Sequence, residues 1–195
     1  MYQLIHQTVS QVASLSTREK RIFEEAFTFR QVPKKFRLIQ EGKVAKELYF
    51  VNRGLLRLFY TKAGEEITAF VFQEGLFGGA YDSFLRQCPS IQSLETLEDC
   101  ELLVITKENM DDLYKKLPIM NTITRKIAEQ RFINAQKILS SFILDSPEER
   151  YRKFEEDHRD LIQRVPQHYI ASFLGITPVS LSRIRKRLMG KGKVE

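Results

Sequence analysis

The chain has 195 residues, 43% hydrophobic and 29% charged, with a formal net charge of +6. That length carries one substantial core and a small second domain, and the charge permits a nucleic-acid partner without demanding one. No run of about 18 uncharged apolar residues occurs, and MYQLIHQTVSQ has no basic segment ahead of an apolar one, so no membrane partner and a cytoplasmic location are expected.

Cys88 and Cys100 form no CxxC pair, and His6, His158 and His168 show no metal spacing. Two plain thiols and no metal are expected, a Cys88–Cys100 disulfide being the alternative.

In chain order, Leu4, Ile5, Val9 and Val12 recur at helical spacing. Ser16 to Glu19 then reads as a capping box before a second helix with Ile22, Phe23 and Phe27 inward. From Phe29 to Ile105 the period shortens. Apolar runs at Phe36–Ile39, Leu48–Val51, Leu55–Tyr60, Ile67–Phe72 and Leu102–Ile105 are separated by glycines and polar turns. Many short strands at near-regular spacing predict an antiparallel barrel or jelly roll.

Beyond Lys107 the pattern is helical again: a short helix over Asn109–Leu117, then a long one after Pro118. Its apolar residues include Ile119, Met120, Ile123, Ile127 and Ile133, a stripe too long for a small barrel to cover. These five are the candidate dimerisation residues. Asp145, Ser146 and Pro147 break the chain, and Glu148 to Arg164 reads as one charged helix with Tyr151, Phe154, Leu161 and Ile162 inward.

Val165 to Met189 is the most informative stretch. Pro166 fits the first turn of a short helix with Ile170, Ala171, Phe173 and Leu174 apolar, and Gly175 ends it. Thr177 and Pro178 read as N-cap and first position of a second helix, which completes a helix-turn-helix. At about 100° per residue, Leu181, Ile184 and Leu188 fall on one side of that helix and Val179, Ser182, Arg183 and Lys186 on the other. A small, polar, cationic face suits the DNA major groove, where arginine bridges guanine O6 and N7, serine bonds base edges and valine meets the thymine methyl. Arg185 and Arg187 are placed to reach phosphates, with Lys191 and Lys193 adding nonspecific attraction. The candidate DNA-binding set is therefore Gln167, Thr177, Val179, Ser180, Ser182, Arg183, Lys186 and Arg187. The acidic groups Glu65–Glu66, Asp111–Asp112 and Glu155–Glu156–Asp157 have no histidine, metal spacing or phosphate loop beside them, so no enzyme is expected.

This order of elements resembles the Crp/Fnr family of bacterial transcription regulators. The resemblance rests on QEGKVAKELYFVNRGLLRLFY (Gln40–Tyr60), EGLFGG (Glu74–Gly79), EDCELLVI (Glu98–Ile105) and the helix-turn-helix. It implies an α+β chain: an N-terminal antiparallel β-roll with flanking helices over 1–116, a long dimerisation helix over 117–144, and a helix-turn-helix domain over 145–195. It further implies a homodimer on a two-fold site of double-stranded DNA, RNA polymerase as a further partner, and an effector pocket near Gly78, Gly79, Ala80, Tyr81, Ser90 and Ile91.

Several positions depart from the family. Where cyclic-AMP-binding members carry a ribose-binding glutamate this chain has Ala80, and where they carry the phosphate-binding arginine it has Ser90. A buried phosphate would lack its main compensation, so cyclic AMP is not the expected effector; Arg86 would need a different loop length to replace it. No N-terminal cysteine cluster exists for an iron–sulfur centre and no histidine stands in a convincing haem position, so no cofactor is assigned. Early in the second helix, Pro178 and Val179 replace an arginine and a glutamate common in relatives, while Arg183 matches a later arginine. Little chain follows Met189, and no full wing is expected. These changes also fit a ligand-sensing or interaction module that no longer binds DNA.

Overall fold

The computed structural model describes residues 1–191. The first helices are α1 (Gln3–Ser10) and α2 (Thr17–Glu25); at the start of α2 Ser16 and Glu19 close the capping box that the sequence predicts. The strands follow as β1 (Thr28–Val32), β2 (Arg37–Ile39), β3 (Glu47–Arg53), β4 (Leu56–Lys62), β5 (Glu65–Phe72), β6 (Phe77–Gly78), β7 (Ser93–Thr96) and β8 (Cys100–Thr106). A short helix, α3 (Tyr81–Arg86), interrupts them.

Two four-stranded sheets form the roll, ordered β1-β8-β3-β6 and β2-β7-β4-β5. Leu56, Leu58, Leu94 and Ile39 from one sheet meet Phe50, Leu102 and Val104 from the other in a common core. Strand β8 is buried on both faces, with Leu102 and Leu103 wholly inaccessible, because α4 (Lys107–Lys116) packs on it from outside. Such strands read as continuous apolar runs rather than alternating ones, which is why LLVI was legible. β1, β6 and β7 carry too little apolar pattern to be seen that way. At Gly54 φ is +96°, and an added Cβ would stand 2.6 Å from Cys100 Sγ, so the turn between β3 and β4 requires glycine twice over.

The second sheet buries charge. Arg57, wholly inaccessible, pairs with Glu95 at 2.8 Å and lies 4.0 Å from the Phe59 ring centroid, while Arg37 approaches Glu95 at 3.6 Å. Arg57 and Arg37 both face Glu95 in strand register, so one carboxylate serves two guanidiniums. In the first sheet Arg30 meets Glu47 with two bonds of 2.9 Å. Both cysteines are free: Cys100 is buried, which pushes its thiol up to about 11, and Cys88 is half-buried.

The long helix α5 (Ile119–Leu144) is followed by α6 (Pro147–Asp157), α7 (Arg159–Arg164), α8 (Gln167–Phe173) and α9 (Pro178–Lys191). The single helix expected over Glu148–Arg164 is two, because His158 leaves the helical region at φ −138°, ψ 45°. Ser146 and Glu149 form a second capping box with Pro147 at the first helical position.

The chain packs as two units, Met1–Thr61 with Ala69–Gln130, and Lys62–Thr68 with Arg131–Glu195. The first carries most of the roll. In the second, Tyr151, Phe154, Leu161, Val165, Ile170, Leu174, Leu181 and Ile184 are buried, and Thr68 N donates to Ser172 Oγ at 2.9 Å.

Candidate nucleic-acid interface

Helix α8 begins at Gln167, with Pro166 as its cap rather than inside its first turn: ψ of 136° places Pro166 in the extended region. Its C-terminal turn is closed by Gly175 at φ +67°, where Ile176 N donates to Ala171 O at 3.0 Å. Thr177 then caps α9. Its Oγ1 accepts from Ser180 N at 3.1 Å and donates to Ser180 Oγ at 3.0 Å. Pro178 stands at the first helical position, where its missing donor costs nothing.

α9 divides as the wheel predicts. Leu181 and Ile184 are 1% and 3% exposed, whereas Val179, Ser182, Arg183 and Lys186 face solvent. Arg183 and Lys186 have no ion-pair partner among the described residues. Two buried leucine and isoleucine side chains thus fix the rotation of α9 and leave its cationic side open.

Other candidates from the sequence have structural employment. The Thr177 and Ser180 hydroxyls are bonded to one another in the cap, and Arg187 pairs with Glu148 of α6 at 2.9 Å. Arg185 is half-buried beside Tyr151, whose phenol burial pushes up to about 12. Gln167 is exposed at the head of α8. Lys193 lies outside the described residues.

The roll pocket residues are also placed. Gly78 and Gly79 are packing glycines: a Cβ on the first would meet Leu56 Cδ1 at 3.0 Å and on the second Leu48 Cδ2 at 2.5 Å. Ala80 is buried, Tyr81 is 41% exposed and Ile91 70% exposed. Ser90 is buried and fully engaged. Its N donates to Lys43 O, its carbonyl accepts from Gly42 N, and its Oγ donates to Gln92 O at 2.8 Å. The Val44–Pro89 bridge and the bond from Ala45 N to Ser83 Oγ hold the same loop. Arg86 points away on α3 and pairs with Asp82 at 3.4 Å, its side chain 71% exposed.

The long helix assigns its apolar residues differently from the sequence reading. Met120 and Ile123 are 3% and 1% exposed in the roll's own core, with Ile119 and Ile127 packed against it. Ile133 is 45% exposed. A different row, Ala128, Phe132, Ala135, Leu139 and Phe142, alternates steps of four and three and is exposed throughout. The stripe seen in sequence is two faces superposed: one consumed within the chain, the other with the spacing of a coiled-coil seam.

Sequence reasoning missed Arg150. Its Nε donates to Leu174 O at 3.1 Å, its Nη1 to Asp145 O at 2.9 Å, and its guanidinium lies 5.0 Å from the Phe142 centroid. Nothing in a charged helical stretch distinguishes this arginine from its neighbours.

Among the described residues no group of three or more histidine, cysteine or acidic side chains is arranged to hold a metal, and no helix is long and apolar enough to cross a membrane.

Residues 29–116 match the cyclic nucleotide-binding domain family. The chain is 31% identical to the anaerobic regulatory protein of Bacillus subtilis (strain 168) over 91 residues, which span 46% of this chain and 38% of that relative. In structure it is similar to the catabolite activator protein of Thermus thermophilus, with a TM-score of 0.58, 24% identity, and 95% of this chain and 88% of that one covered. It is also similar to CLP of Xanthomonas campestris, described as a c-di-GMP responsive global regulator, at a TM-score of 0.72, 19% identity, and 91% and 93% coverage. At these identities the structural likeness establishes the fold: an antiparallel roll with helices, a long helix and a helical C-terminal region. The matched family covers the roll, and the fold over the rest of the chain is the one these solved structures share.

Proposed function

We propose that this chain is a homodimeric, sequence-specific DNA-binding transcription regulator whose roll does not take cyclic AMP. The observation that carries the reading is the open side of α9. A capped helix, fixed in rotation by Leu181 and Ile184, offers Val179, Ser182, Arg183 and Lys186 to solvent with both cations free of ion pairs among the described residues. Base selection rests on these four, since the Thr177 and Ser180 hydroxyls serve the cap and Arg187 is held by Glu148.

The exposed row on α5 supports pairing of two such chains, and a two-fold pair presents two reading helices to successive major grooves. Against cyclic AMP stands Ser90: it brings no charge to a phosphate, and its backbone and hydroxyl are already bonded within the loop. An effector of other chemistry acts by binding one arrangement of the pair better than another.

Selection of bound duplexes from a random pool tests the reading directly. A two-fold motif with half-sites one DNA turn apart is expected, and Arg183→Ala should flatten preference at one position per half-site by about 1–3 kcal/mol. The employment of Thr177, Ser180 and Arg187 within the chain favours a second reading, an interaction or ligand-sensing module without specific DNA binding. Duplex affinity that fails to fall steeply with added salt would select that second reading.

A further inference from the structure

Three elements of the second unit converge on one guanidinium. Phe142 sits near the end of α5, and its Cε1 occupies a point 2.8 Å from where a Gly175 Cβ would stand, so the turn before α9 closes directly against that ring. Arg150, in the first turns of α6, stacks on the same ring at 5.0 Å. Its two donors reach in different directions: Nε to Leu174 O, in the turn, and Nη1 to Asp145 O, at the junction between α5 and α6. The junction is closed from its other side, where Asp145 Oδ2 accepts from Ser141 Oγ at 2.6 Å and from Lys153 Nζ at 2.7 Å. A planar fork with donors on separate edges and a stackable face makes these three contacts together; a lysine cannot.

The DNA-reading head therefore does not hang from α5 by the Asp145–Ser146 backbone alone. Removing Arg150 would free the Leu174 carbonyl and the Phe142 ring together, leaving the backbone and the bonds of Asp145 to Ser141 and Lys153 to hold the angle.

We propose that Arg150, clamped between Phe142, Asp145 and Leu174, is a positioning residue that sets the angle of the reading head to the long helix and thereby the half-site spacing the dimer accepts. The inference rests on the DNA-binding reading above. Its leverage is geometric: one added base pair moves a half-site by about 3.4 Å along the duplex and about 35° around it. A clamped pair of heads cannot follow that displacement, whereas a pair on loose backbone can.

The test has two arms. In the first, nitroxides on Lys137→Cys in α5 and Gln163→Cys in α7, both exposed sites, report the intrachain distance without DNA, in a Cys88→Ser background diluted with unlabelled chain. A single narrow distance is expected, broadened by Arg150→Ala and to a lesser degree by Arg150→Lys. In the second arm, the selected operator is compared with versions one base pair longer and shorter. The unsubstituted chain should lose at least about tenfold in affinity on either change, and Arg150→Ala should bring that ratio close to one while the dimer persists.

A folded Arg150→Ala dimer that keeps both the narrow distance and the spacing ratio overturns the proposal. If Arg150→Ala does not fold, Arg150→Lys decides by the same two measurements. Should the unsubstituted chain bind no duplex at any salt concentration, the DNA reading itself fails and the spacing claim with it; a chain that selects a spacing which Arg150→Ala leaves intact sinks only this inference.

Discussion

Replacing Phe132 by alanine should weaken pairing of two chains. Phe132 is 65% exposed and lies at the centre of the row Ala128, Phe132, Ala135, Leu139, Phe142, with Leu139 60% exposed one step away. Full burial of such a side chain is favourable by about 1.5–3 kcal/mol, so covering the exposed two thirds gives about 1–2 kcal/mol per copy. Two-fold symmetry places two copies in the seam, and the loss is then about 2–4 kcal/mol per dimer, a rise in dimer Kd of roughly 30- to 700-fold. Sedimentation equilibrium across a concentration series measures this directly. Lys137→Ala is the control, since Lys137 is exposed on the opposite side of the helix wheel. A Phe132→Ala chain whose dimer Kd equals that of the unsubstituted protein, or a fall shared equally by Lys137→Ala, would refute the assignment of the seam.

Gly175→Ala should lower the urea midpoint at unchanged slope, because φ of +67° costs a residue with a Cβ roughly 1–2 kcal/mol and the Phe142 ring must also turn aside; a midpoint at or above the original would contradict it. The Arg30 guanidinium bonded to Glu47 holds its carboxyl below the usual carboxylate range. A carboxyl whose folded pKa is depressed adds stability that is present above its unfolded value of about 4.3 and is lost as pH falls through the lower folded value. The stability gap between the unsubstituted chain and Glu47→Gln should therefore be constant from neutral pH to about 5 and shrink towards about 3. A gap independent of pH over that range would show that the ion pair contributes nothing through titration.

What the sequence determined by itself is everything that local chemistry dictates. Caps at Ser16 and Thr177, the left-handed turn at Gly175 and the two-sided pattern of α9 each depend on residues a few positions apart, so their signals are complete within a short window. The apolar run of β8 was equally plain, since burial on both faces leaves nothing polar to interrupt it. Tertiary structure decided which of several eligible side chains is spent where. Met120 and Ile123 read as seam residues in sequence, yet the roll buries them, while Phe132 and Leu139 on another face of α5 stay exposed. Arg57 and Arg150 look like surface arginines in sequence; one is sealed against Glu95 across a strand pair and the other joins the ends of three elements. Such roles depend on groups that only folding brings within about 3 Å, where hydrogen-bond directionality and desolvation select one partner among many chemically equivalent ones.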